Sequence, residues 1–492
     1  MHKNLRLAFA TAAAATLTGG LLTFSAVSAT AADSTTVPQA DFNGDGIGDV
    51  AFSASGAYVS GKKAAGQLVV LYGTSTGVSS AKRTVLSQNS AGVPGTSEAG
   101  DFFSSETAYG DFNGDGYDDI AVAAAREDVD GDTDGGTLAV LWGSASGITG
   151  AGVTIKDPAV SSHDFWGKNL AAGDFDGDGT DDLAVGNSSS TIYVYKGGIT
   201  TSGTAVAGRY TIKPPIMSGG DARGPLNLTA GDVNGDGRTD LVVDGFETDT
   251  DWGWNTNYYV PGTASGLDVS SAQALRSGVI TAIGDVNGDG FGDIVSGAQW
   301  NNTTDDGTTI PDSALGGRVS VTYGSADGPA STTTITQNTG NVPGSSEKND
   351  SFGYELDLGD INGDSYQDIV ISAAGENLNG VVDTGAVTVL YGSASGLNTT
   401  SGSQYFAQST AGVPGTDEKY DNFGLDTKLD DVTGDGKADL LVGSWENSGN
   451  GAVTYLPSDG TKITTTGARS VSPSASGVST TGAPNFGANF AD

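Results

Sequence analysis

Asp, Asn and Gly recur through this chain at one spacing, in DFNGDGIGD (41–49), DFNGDGYDD (111–119), DFDGDGTDD (174–182), DVNGDGRTD (232–240), DVNGDGFGD (285–293), DINGDSYQD (360–368) and DVTGDGKAD (431–439). Side-chain oxygens at the first, third, fifth and ninth places, with a backbone carbonyl at the seventh, suit a hard cation. Gly at the fourth and sixth places permits the tight turn. The candidate ligands are Asp41, Asn43, Asp45, Ile47 and Asp49 in the first loop, and Asp111, Asn113, Asp115, Tyr117 and Asp119 in the second. The third offers Asp174, Asp176, Asp178, Thr180 and Asp182; the fourth offers Asp232, Asn234, Asp236, Arg238 and Asp240. Asp285, Asn287, Asp289, Phe291 and Asp293 follow, then Asp360, Asn362, Asp364, Tyr366 and Asp368, and finally Asp431, Thr433, Asp435, Lys437 and Asp439. Ile47, Tyr117, Thr180, Arg238, Phe291, Tyr366 and Lys437 would contribute their carbonyls. One such stretch also makes an ordinary metal-free turn. Seven copies that all keep Asp at the first, fifth and ninth places point to calcium, up to seven ions per chain. Ser365 for a turn Gly and Thr433 for Asn make the sixth and seventh loops the weakest matches.

Helices do not flank these loops. A helix-flanked calcium loop needs a bidentate Glu at its twelfth place, where this chain has Phe52, Val122, Val185, Val243, Ser296, Ile371 and Val442. Those residues lie in runs such as DIAVAAA (119–125) and DIVISAA (368–374), which read as buried strands. Each loop therefore joins strand to strand. A third strand reads from GGTLAVLWGS (135–144), GGRVSVTYGS (316–325) and GAVTVLYGS (385–393), and a fourth from RTVLSQ (83–88) and QYFAQS (404–409). Loop starts are roughly 50–75 residues apart, a period that suits the four-stranded blade of a propeller.

A short FG-type segment precedes several loops, as SFGYELDLGD (351–360) and NFGLDTKLDD (422–431). FG, then the Asp/Asn/Gly loop, then a segment near a GA pair resembles the FG-GAP repeats of the seven-bladed propeller of integrin alpha subunits and secreted bacterial relatives. The resemblance covers essentially the whole chain after its leader. It implies an all-β, seven-bladed β-propeller with calcium in the loops and ligands on the opposite face. The FG pair is interrupted as Phe165-Trp166-Gly167, altered to Phe103-Ser104, and absent from NLTAGD and ITAIGD before the fourth and fifth loops. The first loop begins almost at the start of the mature chain, so its blade lacks an FG strand. NFGANFAD (485–492) supplies one from the far end, closing the ring and removing exposed sheet edges.

Residues 1–32 read as a secretory signal: Lys3 and Arg6, then an Ala/Leu-rich stretch, with small residues before a cleavage point at 29–32. A leader of this kind suits bacterial export. The domain organisation expected is thus a signal over 1–32 and one propeller over 33–492. With 77 Gly, no Cys and a net charge of −37, the chain is turn-rich, lacks disulfides and repels nucleic acid. No later apolar run is long enough to span a bilayer, so a secreted monomer is expected, acting on an extracellular protein or glycan.

Antiparallel blades place the candidate metal loops on one face and the connections between strands two and three, and between blades, on the other. Of six Trp, four (Trp252, Trp254, Trp300 and Trp445) fall in those second-face connections. Aromatic rings beside Asn and Asp suit sugar binding, by stacking and by hydrogen bonds to hydroxyls. Packing between blades is the competing account, and it weighs more for Trp300 and Trp445 than for Trp252 and Trp254, which sit in an acidic insertion. SAGVPGTSEAGDFF (90–103), TGNVPGSSEKNDSFG (339–353) and TAGVPGTDEKYDNFG (410–424) repeat a Pro-Gly turn, in which Glu98, Glu347 and Glu418 are expected to cap backbone. EDVDGDTDGG (127–136) reads equally as a further cation loop or a solvated acidic one. After the leader, His163 is the only His, in a turn-like SSHDFWG, so a His-dependent triad has one candidate and Cys/His zinc sites are excluded. The reading that results is a calcium-binding binding or adhesion module; the alternative is a calcium-dependent polysaccharide lyase or glycoside hydrolase, for which the sequence singles out no carboxylate pair.

Overall fold

The computed structural model describes residues 39–220, 222–250 and 253–491. The leader expected over 1–32 lies outside them. Six four-stranded antiparallel sheets and one three-stranded sheet follow one another along the chain, each strand paired with its sequence neighbour. Blade 2 is representative, with Glu106–Gly110, Asp119–Ala124, Thr137–Leu141 and Gly152–Thr154. The first two pair so that Gly110 faces Asp119 across the nonapeptide. Second and third strands are buried along nearly their whole length, as the apolar runs predict. First strands of successive blades touch one another, so they line the centre of the ring. The structure is an all-β, seven-bladed propeller.

Among the described residues the core divides into seven apolar clusters, one at each blade interface. Between blades 4 and 5 it is smallest, with Val233, Val242, Tyr259, Ile283 and Ile294. There Asp244, wholly buried, has no hydrogen-bond partner among the described residues, and burial holds its carboxyl well above the usual range.

Blade 1 has only three strands of its own, Val50–Ala54, Gln67–Leu71 and Arg83–Leu86. The C-terminal segment completes it from the inner side. Ser53 N donates to Asn489 O at 2.7 Å, Gly487 N to Ser53 O at 3.0 Å, and Ala491 N to Ala51 O at 2.9 Å. Phe486 and Phe490 pack on Phe52, with ring centroids 4.8 and 5.7 Å away, in the cluster that joins blades 7 and 1. The terminal FG pair thus closes the ring as its placement in the sequence predicts.

Where FG is absent, the first strand still forms, as Asn227–Gly231 and Ile280–Gly284. The pair is therefore a packing device for some blades and not a condition for making one.

Candidate metal centres and the opposite face

All seven nonapeptides adopt one geometry. The first Asp accepts backbone N–H groups from the fourth, fifth and sixth residues; in the second loop Asp111 takes Gly114 at 2.8 Å, Asp115 at 3.0 Å and Gly116 at 2.9 Å. The fifth Asp accepts from the seventh N–H, as Asp115 does from Tyr117 at 3.1 Å. Ser365 keeps the pattern: its N–H reaches Asp360 at 2.9 Å, and its φ of +69° matches the left-handed Gly of the other loops at the cost of some strain. Thr433 also fits, its hydroxyl 3.2 Å from Asp431. The two weakest sequence matches are therefore formed like the rest.

The ninth Asp is buried in every loop, at most 1% exposed. One oxygen accepts a backbone N–H from the start of the connection between strands three and four: Gly73, Gly143, Gly197, Gly262, Gly324, Gly392 or Ser458. Burial pushes these carboxyls up to about 7 or about 8. The second oxygens of Asp119, Asp182 and Asp439 are buried with no partner among the described residues. In the third loop Asp174, Asp176 and Asp178 bring ligand oxygens within 4.8 Å of one another. An uncompensated carboxylate is costly to bury, so a loop of this form is better balanced with a cation. The donor set, all oxygen and rich in carboxylates, fits a hard divalent ion. Lys196 Nζ, 2.5 Å from Asp176, places a side-chain cation at the edge of the third loop.

The sequence reading missed the eighth place. Its backbone N–H donates to the carbonyl of the first Asp of the preceding loop: Gly48 to Asp431 at 3.0 Å, Asp118 to Asp41 at 3.3 Å, Thr239 to Asp174 at 2.9 Å, Gly292 to Asp232 at 3.1 Å, Gln367 to Asp285 at 3.0 Å and Ala438 to Asp360 at 2.8 Å. Between the second and third loops the link is Asp111 N to the Asp181 carboxylate at 3.0 Å. The seven loops are thus joined edge to edge in a closed circle. No residue type marks this place in six of the seven loops, because there the main chain makes the bond.

The opposite face is less uniform. Trp252 lies outside the described residues. Trp254 and Trp300 are half-buried, and the Trp300 indole nitrogen is buried without a partner among the described residues. Trp445 is 40% exposed, which counts against the packing account for that ring. The Pro-Gly turns correct a second expectation: Glu98, Glu347 and Glu418 are exposed, and the capping carboxylates are Asp101, Asp350 and Asp421 three residues later, each accepting the N–H of that Glu. Beside each turn a buried Gln bonds a Glu of the next blade: Gln88 with Glu127, Gln337 with Glu376 at 2.7 Å, and Gln408 with Glu446. Burial raises all three Glu carboxyls, Glu376 to about 7. Over 127–136, the Asp134 N–H donates to the Asp128 carboxylate at 3.0 Å, and Asp134 lies 3.8 Å from Arg126. His163 stacks on Trp166 at 5.9 Å with Nε2 3.4 Å from Asp157. Neither of its ring nitrogens has a hydrogen-bond partner among the described residues.

Comparison with known families agrees with this architecture. An FG-GAP repeat model matches residues 102–141 and 352–390, and an FG-GAP-like repeat model matches 174–243. The chain is a seven-bladed propeller that contains FG-GAP repeats. Integrin alpha-PS2 of Drosophila melanogaster is 27% identical over 45% of this chain and 16% of its own length. Phosphatidylinositol-glycan-specific phospholipase D of Mus musculus is 31% identical over 30% of this chain and 17% of its own length; the Bos taurus protein of that name is 29% identical over 30% and 18%. The matched part is about a sixth of each relative. No helix among the described residues is long and apolar enough to cross a membrane.

Proposed function

We propose that this propeller is a secreted, calcium-binding module that binds or adheres to a cell-surface protein or a glycan. The observation that carries the reading is the contrast of faces: seven equivalent oxygen-lined loops on one, variable exposed side chains on the other. Calcium in the loops neutralises the buried ninth Asp and rigidifies the ring, which presents the variable face. Each occupied loop adds about 2.7 kcal/mol of stability when free calcium is a hundredfold above its dissociation constant. Similarity to part of an integrin alpha chain supports binding. The phospholipase named among the relatives is matched over a sixth of its length, so its activity is not carried to this chain.

A polysaccharide-cleaving enzyme is the second reading, favoured by one observation: Glu376, raised to about 7, has the titration range of a general acid. Against it, the same Gln–Glu pair recurs at three blade interfaces, as an inter-blade tie would. One experiment separates the two: reducing-end release from a polysaccharide panel in calcium, beside retention on the same polymers. Retention without release supports the module; release abolished by EDTA and by Glu376→Gln supports the enzyme.

A further inference from the structure

Three turns of the variable face are equivalent residue by residue, so they can be compared as internal controls. In each, a residue between the exposed Glu and the capping Asp takes a left-handed backbone: Gly100 at φ +95°, Asn349 at +74° and Tyr420 at +70°. Gly and Asn tolerate that region, whereas a bulky aromatic is rarely found there. Tyr420 gains no core contact in return, being 52% exposed. Strain held at an exposed side chain directs attention to function.

The neighbours of Tyr420 have changed with it. Its N–H donates to Val382 O at 3.1 Å, as Gly100 N–H does to Lys63 O at 3.0 Å; Val382 is 41% exposed where the first blade has a lysine. Trp445 N–H donates to Asp421 O at 2.6 Å, and at the preceding interface Gly375 makes the same bond to Asp350 at 3.0 Å. Thus Lys63 and Gly100 at one interface, and Asn349 and Gly375 at another, are replaced at blades 6 and 7 by exposed Val382, Tyr420 and Trp445. Lys419 Nζ sits 4.3 Å from the centre of the Tyr420 ring, and exposed Glu418 precedes it, so a donor and an acceptor flank the aromatic surface.

We propose that Tyr420 and Trp445 form a stacking platform for a neutral glycan, on the binding face and as a specific form of the binding role above. Two aromatic side chains about half exposed, from the 150–250 Å² each can bury, offer far less than the ~800 Å² a stable protein interface takes from each partner. That area matches one or two sugar rings. The net charge of −37 repels acidic polymers, and hydroxyls can accept from Lys419 and donate to Glu418.

The test is retardation of the full mature protein in native gels containing a neutral β-glucan, a mannan, a xylan or an α-glucan, for wild type, Tyr420→Asn and Trp445→Ala, with a melt of each. Tyr420→Asn restores the residue of an equivalent turn, so it folds. The expected result is retardation of the wild type by a neutral glycan, at least about tenfold weaker in both variants, with Tyr420→Asn melting no lower than wild type. Retardation unchanged in both variants overturns the platform and leaves the binding role standing elsewhere on the ring. A wild type that no neutral glycan retards overturns the glycan, and capture of a protein partner then decides the broader reading.

Discussion

On one face of the ring every first Asp accepts the same three backbone N–H groups and every ninth Asp is buried; on the other, equivalent turns carry Gly100, Asn349 and Tyr420. The difference lies in what each face must do for the fold. The nonapeptides are joined to one another around the ring, so a misfit in one is felt by two neighbours. The turns of the opposite face share the Asp that caps the Glu N–H but leave a side chain free to vary. Uniformity therefore marks structure here, and the proposed recognition is to be sought where the repeat departs.

The strongest way to break that comparison is to open the ring. Ending the chain after residue 484 removes Phe486 and Phe490, both buried, and the backbone bonds to blade 1. The truncated protein should lose its cooperative circular-dichroism melt, and Phe486→Ala alone should cost about 3–5 kcal/mol in denaturant unfolding. A truncated chain that melts like wild type would mean that blade 1 stands without its borrowed strand. Next, Asp119→Ala and Asp182→Ala each leave a buried N–H unpaired, at Gly143 and Gly197, at a cost of about 1–3 kcal/mol. The account expects the two to cost alike, measured in the presence of calcium. A severe loss in one loop and none in the other would end the equivalence of the loops.

Most of this was legible in the residues. Spacing located seven loops and their strand-to-strand setting, and the FG pair located the borrowed segment at 485–492, because each rests on a residue type with few substitutes. The eighth place was not legible: Gly48, Thr239 and Gln367 share only a main-chain N–H, and that is what bonds. Nor could spacing show which ring of the second face is exposed. Trp445 and Trp300 look alike in the chain; one projects outward and the other is half-buried.

The smallest expected effect concerns pH. Burial raises Glu376 from an ordinary 4.5 to about 7, so the folded chain keeps a proton that the unfolded chain releases above about 4.5. The stability tied to this group is greatest below that pH and is lost as pH rises through 7. Glu376→Gln leaves an acceptor for Gln337 and removes the titration. Its melting temperature should fall less than that of wild type between pH 5 and 8, and parallel slopes would show that the carboxyl is compensated in the fold.

The central claim, that cations in the seven loops hold the ring, is tested most directly by melting the mature protein in calcium and in EDTA, with bound calcium counted by equilibrium dialysis. The account predicts a sharply lower melting temperature in EDTA, with up to seven ions bound in its absence. Superimposable melts with no bound calcium would contradict it, and would leave the loops as metal-free turns held by their own hydrogen bonds.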